Sequence, residues 1–150
     1  MSDSRLRSIS IILATVGLLD SIYLTWVKLG NRYAICGPIG DCESVNSSPY
    51  AEIAGIPIAV LGAAAYLLII VLLYLEQRGG FWSEYGSMLV FGLTLVGVLY
   101  SGYLTYLELF VIRAICPYCV LSAIVLVLLF AIAILRLVNN PSEESVFSLE

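Results

Sequence analysis

Residues 116–138 read CPYCVLSAIVLVLLFAIAILRLV, and from Val120 to Leu135 the only polar side chain is Ser122. A helix over 117–138 would be about 33 Å long, close to the roughly 30 Å hydrocarbon core of a bilayer. A helix that is apolar on every side has no face to offer water, so this segment is read as a membrane span. Three further stretches share its character. The first covers about residues 9–27, follows Arg5 and Arg7, and holds one charge, Asp20. The second, about 56–75, opens with Pro57 near the first helical turn, where a missing N–H costs nothing, and closes before Glu76, Arg78 and the Gly79–Gly80 pair. The third, about 88–110, carries Gly92, Gly97 and Gly102, small residues expected to let neighbouring helices approach.

Composition agrees with four spans. The chain of 150 residues is 61% hydrophobic and 12% charged, with mean hydropathy +1.00, whereas soluble domains are roughly 45–50% apolar and 25% charged. The first span is too long for a signal peptide and has no small-residue cleavage site before Lys28, so it is expected to remain as an anchor. Residues 30–55 turn to Gly, Pro, Asn, Asp and Ser, which is loop chemistry. The expected fold class is therefore an all-α integral membrane protein. It forms a single membrane domain, a four-transmembrane-helix bundle with an extracytoplasmic loop segment between helices 1 and 2. The acidic, Ser-rich residues 139–150 are expected to be a disordered tail. A net charge of −4 argues against a nucleic-acid partner, and the absence of histidine removes the commonest general base and metal ligand.

Orientation rests on few charges. Arg5, Arg7, Arg78 and Arg136 fall on one side and Lys28, Arg32 and Arg113 on the other, which places both termini in the cytoplasm, with the cell membrane as the expected location. Parity is firmer ground, because with four spans the first and third connections share a face. The pairs Cys36 with Cys42 and Cys116 with Cys119 then lie at the same side of the membrane. An internal repeat supports their equivalence: residues 16–36 match 96–116 at 11 of 21 positions. The matches include Gly17 with Gly97, Ser21 with Ser101, Tyr23-Leu24-Thr25 with Tyr103-Leu104-Thr105, and Ala34-Ile35-Cys36 with Ala114-Ile115-Cys116.

Cys116-Pro117-Tyr118-Cys119 puts two thiols one helical turn apart at the start of the fourth span, with Pro117 suited to the first helical position. Unpaired N–H groups at a helix N-terminus favour thiolate, so activation requires no histidine. A dithiol at the edge of the hydrocarbon points to an oxidant or reductant dissolved in lipid. Cys36 and Cys42 are separated by Gly-Pro-Ile-Gly-Asp, a turn-forming run that can close a small, exchangeable ring facing the aqueous side. Two other readings stay open for these residues. One is a disulfide that merely staples an extracytoplasmic loop; the other is a four-thiolate zinc site, although zinc knuckles favour two to four residues between ligands in both halves.

Taken together, the loop cysteine pair, Ser48-Pro49-Tyr50-Ala51, Gly55-x-Pro57-x4-Gly62 and the C-x-x-C opening the last span resemble the vitamin K epoxide reductase family in its bacterial and archaeal form. The resemblance covers about residues 9–138. It implies a bundle that holds a quinone, of menaquinone, ubiquinone or phylloquinone type, and passes it electrons from thiols without a metal. It further implies that Cys36 exchanges with a thioredoxin-like extracytoplasmic protein, that Cys42 relays to Cys116, and that Cys119 faces the quinone. The expected function is a membrane thiol:quinone oxidoreductase supporting disulfide formation in exported proteins. The alternatives are vitamin K epoxide reduction proper, or a non-catalytic membrane protein with a structural disulfide. Many bacterial relatives carry a fused thioredoxin-like domain that is not seen here, so the partner is expected to be a separate protein.

Vertebrate members hold the ligand oxygens with an asparagine and a tyrosine where this chain has Ile58 and Ala123, which favours plain quinone over the epoxide. Ser48 matches the family's serine near the quinone; read from its neighbours alone it is equally an N-cap, since Pro49 follows at the next position. Asp20, well inside a span, is expected to hydrogen-bond a Tyr or Ser of a neighbouring helix, with a proton or quinone role as the alternative. Glu108 is expected to snorkel to the interface, and the tyrosines to form an aromatic belt.

Overall fold

The computed structural model describes residues 2–38 and 40–139. Four long helices dominate it: α1 (Asp3–Leu29), α3 (Ile58–Leu75), α4 (Phe81–Tyr106) and α5 (Pro117–Asn139), with a short α2 (Cys42–Asn46) in the first connection. All four are long and apolar enough to cross a membrane. The expected tail lies, beyond Asn139, outside the described residues.

The four helices form a ring in which α1 packs on α3 and α5, while α4 packs on α5 and α3. The core between them consists of Ala14, Tyr66, Ile69, Leu72, Leu73, Val90, Val125, Leu129 and Ala133. Most of the remaining large apolar side chains point outward, among them Ile12, Leu67, Val96, Leu99 and Val138. In water such a surface would be untenable; in lipid it is the solvated face.

Close approach depends on particular glycines. A Cβ at Gly17 would overlap the Tyr66 ring, and one at Gly97 would lie 2.9 Å from Leu126. Gly92 and Gly102, expected to act in the same way, have open space around them. The repeat is visible in the backbone as well. Thr25 donates to Ser21 O at 2.8 Å and Thr105 to Ser101 O at 2.9 Å, so both outward-rising helices satisfy the same hydroxyl in the same register.

The connection after α1 is more ordered than its loop-forming composition suggested. After α2 come one turn of 3-10 helix (Pro49–Ala51) and a minimal hairpin of β1 (Glu52–Ile53) and β2 (Ile56–Pro57), in which Ile53 pairs with Ile56. Ala54 and Gly55 both take positive φ, the conformation demanded by a two-residue hairpin turn whose twist matches its strands. Pro57 precedes α3 by one residue instead of lying within its first turn.

At the opposite end, Arg136 of α5 joins Glu76 at 2.6 Å and Asp3 at 2.8 Å. This ion triad links α5 to α1 and to the 3-10 turn (Glu76–Arg78) that follows α3.

Candidate functional site

Cys36 and Cys42 are joined as a disulfide, with Cα atoms 6.1 Å apart. Backbone contacts hold this loop over the start of α5. The Asp41 N–H donates to Ile115 O at 3.0 Å. The Ile35 peptide is gripped from both sides: its N–H donates to the Tyr23 hydroxyl at 3.1 Å, and its carbonyl accepts from the Tyr118 hydroxyl at 2.7 Å. The two tyrosine rings lie 5.0 Å apart. Gly40 permits the contact, since a Cβ there would approach Pro117 to 2.6 Å. Tyr23 and Tyr118 are therefore clamps on the loop.

This docking brings the two cysteine pairs together. Cys42 and Cys116 are each 1% exposed, and the Cys116 thiol donates to Cys42 Sγ at 3.4 Å. Cys116 and Cys119 are free thiols. A hydrogen bond from Cys119, followed by N–H groups of Cys119 and Tyr118, holds the Cys116 thiol below its ordinary range against the opposing effects of burial and the Glu108 charge. With Cys36 and Cys42 bonded to one another, four thiolates are not available for a zinc site in this state.

The helix α2 begins at Cys42 and is capped by Asp41, which accepts from Ser44 N at 3.1 Å and Ser44 Oγ at 2.6 Å. Those two donors hold the exposed Asp41 carboxyl below its usual range. Lys28 donates to Asn46 O at the other end of α2 and pairs with Glu52 at 3.2 Å, tying the hairpin and α2 to the top of α1.

Below the cysteines lies a cavity of about 380 Å³ between the helices, with Cys116 and Cys119 in its wall. That volume falls within the roughly 300–1,000 Å³ of small-molecule sites, and the lining is mostly apolar. Polar groups enter it at a few heights. Ser48 borders it near the cysteines. Tyr66 and Ser122 lie deeper, joined through their hydroxyls at 2.7 Å.

Several expectations change here. Ser48 does stand before Pro49 at a helix start, yet its side chain makes no capping bond; its hydroxyl donates instead to Val45 O at 2.7 Å. Asp20 is buried beside the cavity with neither carboxylate oxygen hydrogen-bonded among the described residues, contrary to the Tyr or Ser partner expected for it. Ile58 lines the cavity as an apolar group, whereas Ala123 is not part of its wall.

Glu108 does not snorkel. It is 5% exposed and faces the cavity, continuing the stripe of Gly97, Ser101 and Leu104 along α4, at the start of a π-helical segment (Leu107–Ile112) that ends where Arg113 turns the chain through a left-handed conformation. One Glu108 carboxylate oxygen lies 3.5 Å from the Cys116 N–H. The signal available in sequence was the presence of an ionisable residue in a span eight positions before Cys116. Its inward direction follows the helical spacing from Gly97 through Ser101 and Leu104, which line the same cavity, so periodicity carried the signal as well.

The arrangement defines a class: a multi-pass membrane protein with one cysteine pair in an end loop, held in contact with a second pair above an intramembrane cavity. The profile of the Vitamin K epoxide reductase family matches residues 8–134. The chain belongs to that family. It is also similar to the thiol-disulfide oxidoreductase LTO1 of Arabidopsis thaliana, with 32% identity over 124 residues. That match covers 78% of this chain and 33% of the plant protein, so the chain spans about a third of the length of this relative.

Proposed function

We propose that this protein is a membrane thiol:quinone oxidoreductase that oxidises a thioredoxin-like dithiol partner and thereby supports disulfide formation in exported proteins. The observation that carries this reading is the 3.4 Å approach of Cys116 Sγ to Cys42 Sγ while Cys42 is still bonded to Cys36. Such a distance suits thiol-disulfide exchange, in which a thiolate attacks one sulfur of a disulfide and releases the other. Family membership and the name of the plant relative support the same chemistry.

The steps follow from exposure. Cys36 is half-buried beside the outward-facing Tyr33 and Ile35, whereas Cys42 is enclosed. A partner thiolate therefore attacks Cys36, and Cys42 leaves as thiolate; the second partner thiol then displaces Cys36 to complete the partner's disulfide. Cys42 attacks Cys116 of an oxidised Cys116–Cys119 pair and releases Cys119. Cys36 resolves the Cys42–Cys116 bond and frees Cys116. The resulting dithiol gives two electrons and two protons to a quinone in the cavity, which becomes hydroquinone as Cys116 and Cys119 rejoin. Purified protein in liposomes should reduce a short-chain benzoquinone when supplied with a reduced thioredoxin-like protein; inert thiols would leave only a stapled membrane protein.

The reading places the cysteines outside the cell membrane and both termini in the cytoplasm, in line with the basic residues near Ser4 to Ser8, Arg78 and Arg136. After mild reduction of intact cells, a membrane-impermeant maleimide should modify Cys36. Labelling only after permeabilisation would reverse the orientation.

Ser48 is assigned to a quinone oxygen, as a modest contributor. Its hydroxyl must leave Val45 O to donate to a ligand, so the net gain is that of one hydrogen bond, about 0.5–1.5 kcal/mol. Ser48→Ala should slow quinone reduction by about tenfold, a factor equivalent to ~1.4 kcal/mol, without preventing either disulfide. Unchanged turnover per folded molecule would remove Ser48 from the site.

A further inference from the structure

The disulfide relay accounts for electrons and leaves the protons without a carrier. When the Cys116–Cys119 dithiol becomes a disulfide, two thiol protons must leave, and a quinone needs two protons to become hydroquinone. The cavity where this would occur is mostly apolar, and histidine is absent from the chain, so a side-chain proton acceptor there must be of another type.

Glu108 is placed for that task. Its carboxylate lines the same cavity as both thiols and lies 3.5 Å from the Cys116 N–H. Among the described residues no Lys or Arg borders the cavity, and none forms an ion pair with Glu108. A buried structural carboxylate ordinarily has a cation or several good donors to offset its desolvation. Here the one backbone donor is at the far limit of hydrogen bonding. The equivalent position in the repeat is Lys28, which instead serves the outer face by binding Asn46 O and Glu52. Glu108 continues the cavity-facing stripe of Gly97, Ser101 and Leu104, within a π-helical turn (Leu107–Ile112) of a kind that recurs at functional sites.

We propose that Glu108 is the proton acceptor for the Cys119 thiol and returns that proton to the reduced quinone, a role that rests on the quinone reading above. In the balanced step, Glu108 takes the proton from Cys119. The Cys116–Cys119 bond then forms as two electrons pass to the quinone. Its oxygens gain the proton held by Glu108 and the one from Cys116, and Glu108 is again a carboxylate. The other titratable groups facing this space are Asp20 from α1, Tyr66 from α3, Tyr100 from α4 and Tyr50 from the first connection. None of them is hydrogen-bonded to a residue of the C-x-x-C motif, as Glu108 is to the Cys116 N–H.

Glu108→Gln keeps the size and an acceptor oxygen for the Cys116 N–H while removing the ability to take a proton. With dithiothreitol as donor and a short-chain benzoquinone as acceptor, its kcat should fall about 100-fold at neutral pH, the lower range for loss of general acid–base catalysis. KM for the quinone should hold steady, and the variant's rate should climb with pH as hydroxide replaces the missing base. Glu108→Asp should recover part of the loss. An independent readout is the infrared difference spectrum of the protein taken electrochemically between its dithiol and disulfide states, without quinone. The wild type should show a carboxyl band that disappears in Glu108→Gln. A wild-type rate in Glu108→Gln, or no redox-linked carboxyl band in the wild type, overturns the assignment. A band with no electron transfer to quinone supports Glu108 as thiol-proton acceptor and overturns the quinone reading instead.

Discussion

Cys119→Ser should abolish quinone reduction and accumulate a Cys42–Cys116 disulfide. In the structure Cys116 is a free, buried thiol 3.4 Å from Cys42, and its thiolate is favoured by its surroundings. Attack on Cys42 breaks the Cys36–Cys42 bond and releases Cys36. In the unaltered protein both Cys36 and Cys119 can resolve the mixed disulfide; in the variant only Cys36 can, so a larger share of the protein should hold the Cys42–Cys116 bond. Cys36→Ser should behave differently. It removes the residue that meets a protein partner, yet a small membrane-permeant dithiol can still reduce Cys116 and Cys119 directly, so quinone reduction with that donor should remain largely intact. Mapping of disulfides by mass spectrometry, together with turnover for each serine variant, checks the order. Equal loss in all four variants with the small dithiol would defeat the ordered relay.

Arg136→Met should destabilise the fold by about 3–5 kcal/mol, the cost of leaving a buried charge without its partner. The Arg136 and Glu76 side chains are each 4% exposed, whereas Asp3 is 36% exposed. Asp3 can turn to water when the guanidinium is removed. Glu76 cannot, and its remaining contact is Ser87 at 3.4 Å. Most of the loss should therefore be recovered in the double variant Glu76→Gln with Arg136→Met. Chemical denaturation in detergent micelles would show it, and equal stability of the single variant and the unaltered protein would mean that the triad contributes nothing.

The architecture is legible in the sequence because a bilayer restricts what the chain can form. Backbone polar groups in hydrocarbon must be satisfied within the segment, so apolar stretches of span length have to be helices. Parity then assigns the two cysteine pairs to one face whatever the orientation. The repeat aligned Cys36 with Cys116, and the matching Thr25 and Thr105 hydroxyl bonds show why: the two segments are helices of the same register. The packing role of Gly17 is not legible locally, because it depends on a tyrosine 49 positions away in sequence, Tyr66.

Composition, length and the C-x-x-C spacing were thus enough for a four-span bundle with paired thiols at one end, since each is a local property or follows from counting spans. Which thiols meet was a matter of packing. Gly40 against Pro117, and the Ile35 peptide between Tyr23 and Tyr118, set the loop down so that Cys42 touches Cys116 while Cys36 stays nearer the surface. The approach of Glu108 to the thiols was likewise decided in three dimensions. Helical period places it on the same face as Gly97, Ser101 and Leu104, but only the turn at Arg113 and the packing of α5 bring Cys116 to its carboxylate.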